Sequence, residues 1–199
     1  MARYTGPKDR LSRREGVDLF GKGARLTRVN IPPGTHGQKG YIKRSQYARQ
    51  LREKQKVKRT YGILEKQFRN YVDKALKTKG NTADALFSLL ERRLDNIIYR
   101  LNLAPTRPAA RQMVSHKNVL VNGKKVNIPS YLVAVGDTVS ITSKAAEIPA
   151  VKVLLDQKDV TFPKWLSRKA VVGKVTKMPE FEDVLEPVSA QDIIEFYSR

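Results

Sequence analysis

The side chains best suited to chemistry in this sequence are lysines and arginines that recur in short runs. Among its 199 residues, 39 Lys and Arg stand against 19 Asp and Glu, which gives a formal net charge of +20. A surplus of this size destabilises a compact chain by self-repulsion unless a polyanion neutralises it. Clustered basic residues indicate nucleic acid as that polyanion. The sequence therefore predicts a nucleic-acid-binding protein.

Other kinds of reactive side chain are scarce. The sequence contains no cysteine, which removes disulfides, thiolate nucleophiles and zinc sites built on sulfur. Its two histidines, His36 and His116, have no second histidine within a helical turn, so no metal site is expected. We expect no cofactor and predict that the chain is not an enzyme.

The sequence also shows no segment that would direct the chain to a membrane. The opening residues are rich in arginine, but no apolar stretch follows them as in a secretory signal. No run approaches the roughly 18 apolar residues that span a bilayer. The predicted location is the cytoplasm, with no membrane partner.

The charge is distributed unevenly along the chain. Residues 1–80 hold 22 basic and 6 acidic residues, residues 81–143 hold 8 and 4, and residues 144–199 hold 9 and 9. Asymmetry of this kind indicates different partners for different parts of a chain. We expect a polyanion at the front and a protein neighbour at the neutral end.

Residues 1–44 are predicted to be a basic extension that folds on its target. They contain seven of the twelve glycines and no apolar periodicity, so they bury too little surface to offset their ordering entropy. The alternative is a disordered tail without a role. The aromatics Tyr4, Phe20 and Tyr41 and the surplus of arginine favour the first interpretation.

Residues 45–90 are predicted to be a helical domain that begins with two helices separated at Gly62. The first is basic around most of its circumference, and a helix this polar needs an external partner. Its thin apolar stripe consists of Tyr47, Leu51 and Tyr61. The second helix, which ends near Gly80, has a core face. That face consists of Leu64, Phe68, Tyr71, Val72 and Ala75.

Residues 91–143 are predicted to form a compact module. One core helix begins at Asn81 or Thr82 and continues to Pro105, because apolar residues recur at three- and four-residue steps from Leu86 to Leu101. A short helix follows the candidate N-cap Thr106. Asn122-Gly123 predicts a type I′ hairpin, and residues 136–141 supply another strand. The predicted fold is therefore α+β, with two helices followed by a small antiparallel sheet.

Residues 144–199 are predicted to form short strands and a C-terminal segment that packs on the two domains. The strands are AVKVLL, VVGKV and IIEFYS, with one helical turn at 189–192, and the single tryptophan, Trp165, is predicted to lie in the core. Acidic residues cluster at Glu180, Glu182, Asp183 and Glu186. We expect the segment to complete the module's sheet and to turn an outer face toward a protein; the alternative is a solvated acidic loop.

Residues 91–141, ERRLDNIIYRLNLAPTRPAARQMVSHKNVLVNGKKVNIPSYLVAVGDTVSI, closely resemble the RNA-binding module named after the fourth protein of the small ribosomal subunit. The opening MARYTGPKDRLSRREG, the block LREKQKVKRTYGILEKQFRNY and the closing EFYSR are similar to the bacterial form of that ribosomal protein family. The resemblance covers nearly the whole chain. Many relatives carry N-terminal cysteines that hold zinc, and their absence here predicts a metal-free form.

The resemblance implies a specific set of partners. The family binds small-subunit ribosomal RNA as a primary binder, helps to start assembly of the subunit body, and contributes to decoding accuracy through neighbouring ribosomal proteins. Protein five of the small subunit is the neighbour expected from the family, and some relatives also bind their own messenger RNA.

Phosphate contacts set affinity and register on folded RNA, and the planar fork of arginine can pair two phosphate oxygens. We therefore predict three groups of RNA-binding residues. The first, in the extension, is Arg3, Arg10, Arg13 and Arg14. The second, on the basic helix and the helix after it, is Arg44, Arg49, Arg52, Lys54, Lys56, Lys58, Arg59 and Arg69. The third, at the module edge, is Arg92, Arg93, Arg107, Arg111, His116, Lys117 and Lys124.

Two other functions compete with a structural ribosomal role. The triplet Arg93-Leu94-Asp95 resembles a catalytic triplet of pseudouridine synthases, but no catalytic domain accompanies it. A free-standing RNA binder that rescues stalled subunits is the second alternative.

Overall fold

The computed structural model describes residues 4–23, 26–37, 45–157, 161–184 and 186–198. Within these ranges the chain divides into two compact units. The first comprises Met1–Leu76 and Glu186–Arg199, and the second comprises Lys77–Leu185. The fold is α+β, because the first unit is helical and the second joins helices to one antiparallel sheet.

Four helices form the described part of the first unit. They are α1 (Lys8–Glu15), α2 (Gln46–Thr60), α3 (Glu65–Lys77, which extends one residue past the unit boundary) and α9 (Ala190–Tyr197). The predicted separation of α2 from α3 at Gly62 is confirmed; this residue has φ +64°, which a glycine adopts without strain. The predicted core face of α3 is confirmed at Phe68, Tyr71, Val72 and Ala75, whereas Leu64 is exposed.

Part of the N-terminal extension is a helix that packs against α2, which the sequence pattern did not predict. Helix α1 ends at Gly16, whose φ is +71°, and buries Ser12, Glu15 and the following Leu19. The polar buried positions explain the error, since an apolar period was the signal sought.

The second unit begins with three helices and a hairpin. These helices are α4 (Thr82–Glu91), α5 (Leu94–Arg100) and α6 (Arg107–Ser115). The hairpin joins β1 (Val119–Val121) to β2 (Lys124–Lys125), and β3 (Thr138–Ile141) follows. Asn122 and Gly123 both have positive φ, at 50° and 77°, so the predicted turn is confirmed. Thr106 caps α6 as predicted, since its side chain accepts a hydrogen bond from the Ala109 amide.

The single core helix predicted up to Pro105 is wrong, because it breaks between α4 and α5. Arg93 is extended, with φ −63° and ψ 135°, and forms an isolated bridge with Leu132. The Leu94 amide donates to the Tyr131 carbonyl at 2.9 Å, and the Val133 amide donates to the Arg92 carbonyl at 3.0 Å. A loop distant in sequence therefore replaces the helical hydrogen bonds at this point.

The rest of the second unit completes the sheet. Helices α7 (Ser143–Ala146) and α8 (Pro149–Leu155) precede β4 (Leu166–Lys169) and β5 (Val172–Val175), and a short 3₁₀ helix lies at Phe181–Asp183. The sheet order is β2-β1-β3-β5-β4, with every pair antiparallel. The prediction that the C-terminal part completes the sheet is thus confirmed, and Trp165 lies in the core, as predicted.

Two predicted strands are helices. AVKVLL lies in α8, which begins at Pro149. IIEFYS lies in α9 up to Tyr197, and its last residue, Ser198, is the C-cap of that helix. Proline is well suited to the first turn of a helix because its missing N–H has no partner there. Short apolar runs do not distinguish a strand from one face of a short helix, which explains both errors.

Candidate nucleic-acid interface

The predicted arginines of the extension have different environments on α1. Arg13 donates from Nε to the Ile31 carbonyl at 2.9 Å and from Nη2 to the Pro32 carbonyl at 3.2 Å. Arg13 therefore holds a loop against the helix. Arg10 and Arg14 are exposed. Arg3 lies outside the described residues, as does Arg44 of the second group.

Helix α2 has its partner within the first unit. The helix buries Gln50, Lys54, Val57 and Thr60, a stripe that is mostly polar, and α9 packs against it. Of the predicted apolar stripe, Tyr61 is buried and Leu51 is partly buried, whereas Tyr47 is half exposed, with its ring centroid 5.7 Å from that of Phe196. The sequence predicted an external partner for this basic helix, and that partner stays a prediction; the partner that the structure shows is the C-terminal helix of the same chain.

Each of the six predicted cations on α2 has a carboxylate partner. The pairs are Arg49 with Asp192 (3.0 Å), Arg52 with Glu15 (3.3 Å), Lys54 with Glu65 (2.7 Å), Lys56 with Glu53 (2.6 Å), Lys58 with Glu65 (2.9 Å) and Arg59 with Glu15. A phosphate would have to compete with these carboxylates. The side chain of Arg49 is 66% exposed, so a phosphate can still reach its guanidinium group. Arg69 is exposed on α3.

The pair at Lys54 is embedded in an aromatic cluster. Lys54 Nζ lies 4.7 Å from the ring centroid of Phe196, within cation–π range, and Tyr197 donates its hydroxyl to Glu65 Oε1 at 2.7 Å. Partial burial raises the pKa of Glu65, but the hydrogen bonds from Lys54, Lys58 and Tyr197 outweigh it and hold that pKa at about 2. Burial and the hydrogen bond to Glu65 raise the pKa of Tyr197.

The structure contradicts the placement of Arg93 at an RNA-facing edge. Its side chain is fully buried and forms a two-point pair with Asp95, from Nε at 3.1 Å and from Nη2 at 2.8 Å. A guanidinium without exposed surface cannot contact a phosphate. Arg92 is partly exposed and donates from Nε to the Val133 carbonyl at 2.8 Å. Both side chains stabilise the backbone where the helix breaks between α4 and α5.

Two other predicted arginines of the module are held at its surface by acceptors from α5. Arg111 donates to Asp95 Oδ2 at 3.0 Å, and Arg107 donates from Nε to Asn96 Oδ1 at 2.8 Å. Arg107 also lies over the Tyr99 ring, with Cζ 4.5 Å from the centroid. Each guanidinium is partly exposed. These contacts restrict side-chain rotation, which lowers the entropy cost of binding a phosphate.

Sequence reasoning missed the buried pair that supports this arrangement. Glu91 accepts from Arg100 at 2.8 and 3.1 Å and from Asn96 Nδ2 at 2.7 Å. In one straight helix, residues nine apart would lie on opposite faces, since each residue turns the chain by about 100°. The break at Arg93 is what brings Glu91 and Arg100 together, so the sequence carried no signal of their contact.

The last three predicted residues are exposed and lie near the hairpin along the chain. His116 is the C-cap residue of α6, and Lys117 follows with φ +60°. Lys124 is the first residue of β2. The structure thus leaves His116, Lys117 and Lys124 accessible at the start of β1 and at the turn.

Within the described ranges, no group of three or more His, Asp or Glu side chains is placed to hold a metal ion. In the same part of the chain, no helix has the length and apolar character to cross a membrane.

Two family models match adjacent parts of the chain, and full-length relatives match all of it. Residues 3–91 match the model of the ribosomal protein S4/S9 N-terminal domain, and residues 92–139 match that of the S4 domain. Relatives called small ribosomal subunit protein uS4 are 51% identical in Halothermothrix orenii, 47% in Desulfitobacterium hafniense and 45% in Parabacteroides distasonis. Each of these alignments covers 100% of both chains. This chain therefore belongs to the ribosomal S4 family.

Proposed function

We propose that this chain is a structural, non-catalytic protein of the bacterial small ribosomal subunit and binds the RNA of that subunit in the cytoplasm. The observation that carries the proposal is the full-length identity of about one half to bacterial proteins called small ribosomal subunit protein uS4. The net charge of +20 supports it, because a protein inside a ribonucleoprotein particle is neutralised by RNA.

The proposed RNA contacts are a subset of the predicted residues. In the first unit they are Arg10, Arg14, Arg49 and Arg69, and in the second they are Arg92, Arg107, Arg111, His116, Lys117 and Lys124. We leave out Arg93, which has no exposed surface. In this proposal the other predicted cations stabilise the first unit through their internal contacts. They are Arg13, Arg52, Lys54, Lys56, Lys58 and Arg59.

A salt titration on naked small-subunit RNA tests the proposal. Contacts with about ten phosphates give a slope of log affinity against log salt of about −7 to −9. Replacing Arg10, Arg14 and Arg69 together by Gln should make the slope less steep by about 2 to 3. The control replaces the exposed Lys79, Lys144 and Lys152 by Gln, with the same loss of charge and no expected change in slope. A wild-type slope near −2 would contradict the proposal.

We also propose a role for this chain in assembly of the subunit body and in translational accuracy. An early, tight contact with ribosomal RNA would nucleate assembly of the subunit body, and contacts with neighbouring ribosomal proteins, protein five among them, would affect translational accuracy. Subunit reconstitution with the chain omitted should stall before later proteins bind. Binding to its own messenger RNA is a separate proposed activity, which the same titration tests when that messenger replaces the small-subunit RNA.

The acidic segment is the proposed contact with a protein neighbour. Phe181 is anchored, since its ring lies 4.9 Å from that of Phe87 and its amide donates to Asp84 at 3.0 Å. The neighbouring Glu182 is exposed. Glu182→Lys should therefore weaken the protein contact without unfolding the unit. Unchanged assembly and unchanged misreading in this variant would leave a solvated acidic loop as the correct interpretation.

Two experiments separate the competing functions. An RNA-modifying enzyme would form pseudouridine on ribosomal RNA, which is measured directly after incubation with the purified chain. A free-standing binder would sediment with dissociated particles only, whereas a subunit component stays with mature small subunits in high salt.

A further inference from the structure

The five-stranded sheet of the second unit has one face covered by helices and one open face, on which the described side chains are exposed or partly buried. On the covered face Val121, Val139 and Val175 are buried. A Cβ atom added at Gly173 would lie 2.3 Å from Leu101 Cδ1, so α5 reaches the backbone there. Because successive side chains of a strand point to opposite faces, the residues between these positions lie on the open face.

Strand register defines what the open face presents. The first row crosses all five strands, and its members are Lys125, Leu120, Ser140, Val172 and Lys169. A second row consists of Thr138, Lys174 and Ser167. Lysines therefore stand at both ends of the first row, and one stands within the second.

The charge of this face is of one sign. Neither row contains a carboxylate, and Lys125, Lys169 and Lys174 are exposed and make no ion pair with any residue that the structure describes. The cations of α2 behave in the opposite way, since each has an acidic partner. The open face thus keeps its positive charge for an external partner.

Protection of sheet edges explains only part of this pattern. Lysines on edge strands prevent unwanted strand pairing, and Lys125 and Lys169 lie on the edge strands β2 and β4. Lys174 lies on β5, which pairs with a strand on each side. An interior strand has no edge to protect, so Lys174 needs another explanation.

We propose that the open face of this sheet binds the sugar–phosphate backbone of RNA, as an additional contact surface that rests on the function proposed above. Lys125 and Lys169 are four strand spacings apart, about 19 Å. Lys174 and Lys169 are diagonal neighbours about 7 to 8 Å apart. Lysines bind phosphates as point charges, and serine and threonine hydroxyls contact phosphate and sugar oxygens.

The composition of the face favours RNA over a protein partner. The centre of a protein interface is enriched in aromatic side chains and depleted in charged ones. In the two rows the apolar members are Leu120 and Val172, and neither is aromatic. Three unpaired cations among hydroxyl groups match a polyanion in charge and a ribose–phosphate chain in hydrogen bonding.

The test replaces Lys125, Lys169 and Lys174 together by Gln in the full chain and titrates binding to naked small-subunit RNA against salt. We expect the slope to become less steep by about 2, from roughly 0.7 counterions per contact, and the affinity at the lower salt concentrations to fall at least about tenfold. The matched control is the triple variant of Lys79, Lys144 and Lys152 described above. Equal slopes in both variants would overturn the proposal.

A second variant adds a negative charge without removing a lysine. Val172 is 41% exposed and lies next to Lys169 in the first row, so Val172→Glu should leave the thermal transition in place and weaken RNA binding. Its control is Val153→Glu, at a valine of α8 that is 63% exposed. Equal RNA affinity of the two glutamate variants would also overturn the proposal.

The outcomes separate this inference from the function on which it rests. Wild-type protein that fails to bind small-subunit RNA refutes the proposed function. Normal wild-type binding with an unaffected lysine variant refutes the sheet contact alone. If that variant instead loses an acidic protein neighbour in reconstituted subunits, the face is a protein interface; if it only aggregates, the lysines protect edges.

Discussion

The two units of this chain differ in how far their ion pairs are exposed to water. In the first unit, cations of α2 pair with carboxylates that lie from 3 to 143 residues away. In three of these six pairs one member stays open to water: Arg49 is 66% exposed, and Glu65, which Lys54 and Lys58 share, is 46% exposed. In the second unit, Glu91 with Arg100 and Arg93 with Asp95 lie almost wholly inside. Exposed pairs contribute little to stability, whereas a buried pair is costly to break. Cation-rich sequence alone therefore does not show which charges face the RNA.

The largest expected effect comes from breaking the buried pair. Glu91→Ala leaves the Arg100 guanidinium without its carboxylate in the interior, and we expect the free energy of unfolding to fall by about 3 to 5 kcal/mol. Urea titration of the variant measures this. Glu147→Ala, at an exposed glutamate of the same unit, is the control and should change stability by less than about 0.5 kcal/mol. A loss below about 1 kcal/mol for Glu91→Ala would contradict the comparison.

A packing change in the second unit should have the next largest effect. The Cβ of Gly173→Ala would overlap the side chain of Leu101, which is fully buried and has little room to move. Overpacking of this kind costs about 1 to 3 kcal/mol. Thermal unfolding checks it against Val172→Ala, whose side chain lies on the open face. Equal melting temperatures of the two variants would show that Leu101 is not tightly packed against Gly173.

In the first unit the Glu65 cluster should give a pH-dependent effect. The folded chain holds the pKa of Glu65 at about 2, below its ordinary value of 4.5. This contribution to stability is present above pH 4.5 and is lost as the pH falls from 4.5 toward 2. Because Glu65 is half exposed, we expect Glu65→Gln to cost only about 1 to 2 kcal/mol at neutral pH.

The measurement is the difference in unfolding free energy between wild type and Glu65→Gln from pH 7 to pH 2. That difference should shrink as the pH falls through this window. A difference that stays constant with pH would show that the carboxylate charge of Glu65 does not stabilise the first unit.

The smallest effect is expected at the exposed pair of Arg49 and Asp192. A double-mutant cycle with Arg49→Ala and Asp192→Ala should give a coupling energy between about 0.2 and 1 kcal/mol. High salt should reduce it. A coupling as large as the loss in Glu91→Ala would remove the distinction between the two units.

Local signals were sufficient for several elements. The Asn122-Gly123 turn was predictable because both central residues need positive φ, and the start of α6 because Thr106 can cap it. These features depend on residues within a few positions of each other. The helical nature of α8 and α9 was not predictable in this way, because short apolar runs fit either a strand or a helix face.

The proposed RNA contacts were predictable only as a class. The surplus of cations and the resemblance of residues 91–141 indicated an RNA-binding protein, and the family is confirmed. Which cations are available depended on partners far away in sequence, such as Glu15 for Arg52 and Arg59. Lys174 was not predicted as a contact, since strand register alone places it on the open face.

The sequence by itself determined the excess positive charge, the absence of cysteine, the hairpin, the cap of α6 and the family, because each is written in composition or in neighbouring residues. Only the tertiary structure decided that Arg93 is internal, that α2 is paired with acidic partners, and that three lysines share one open sheet face. The physical reason is that burial and ion pairing are set by side chains brought together across long stretches of chain, at distances that no local pattern encodes.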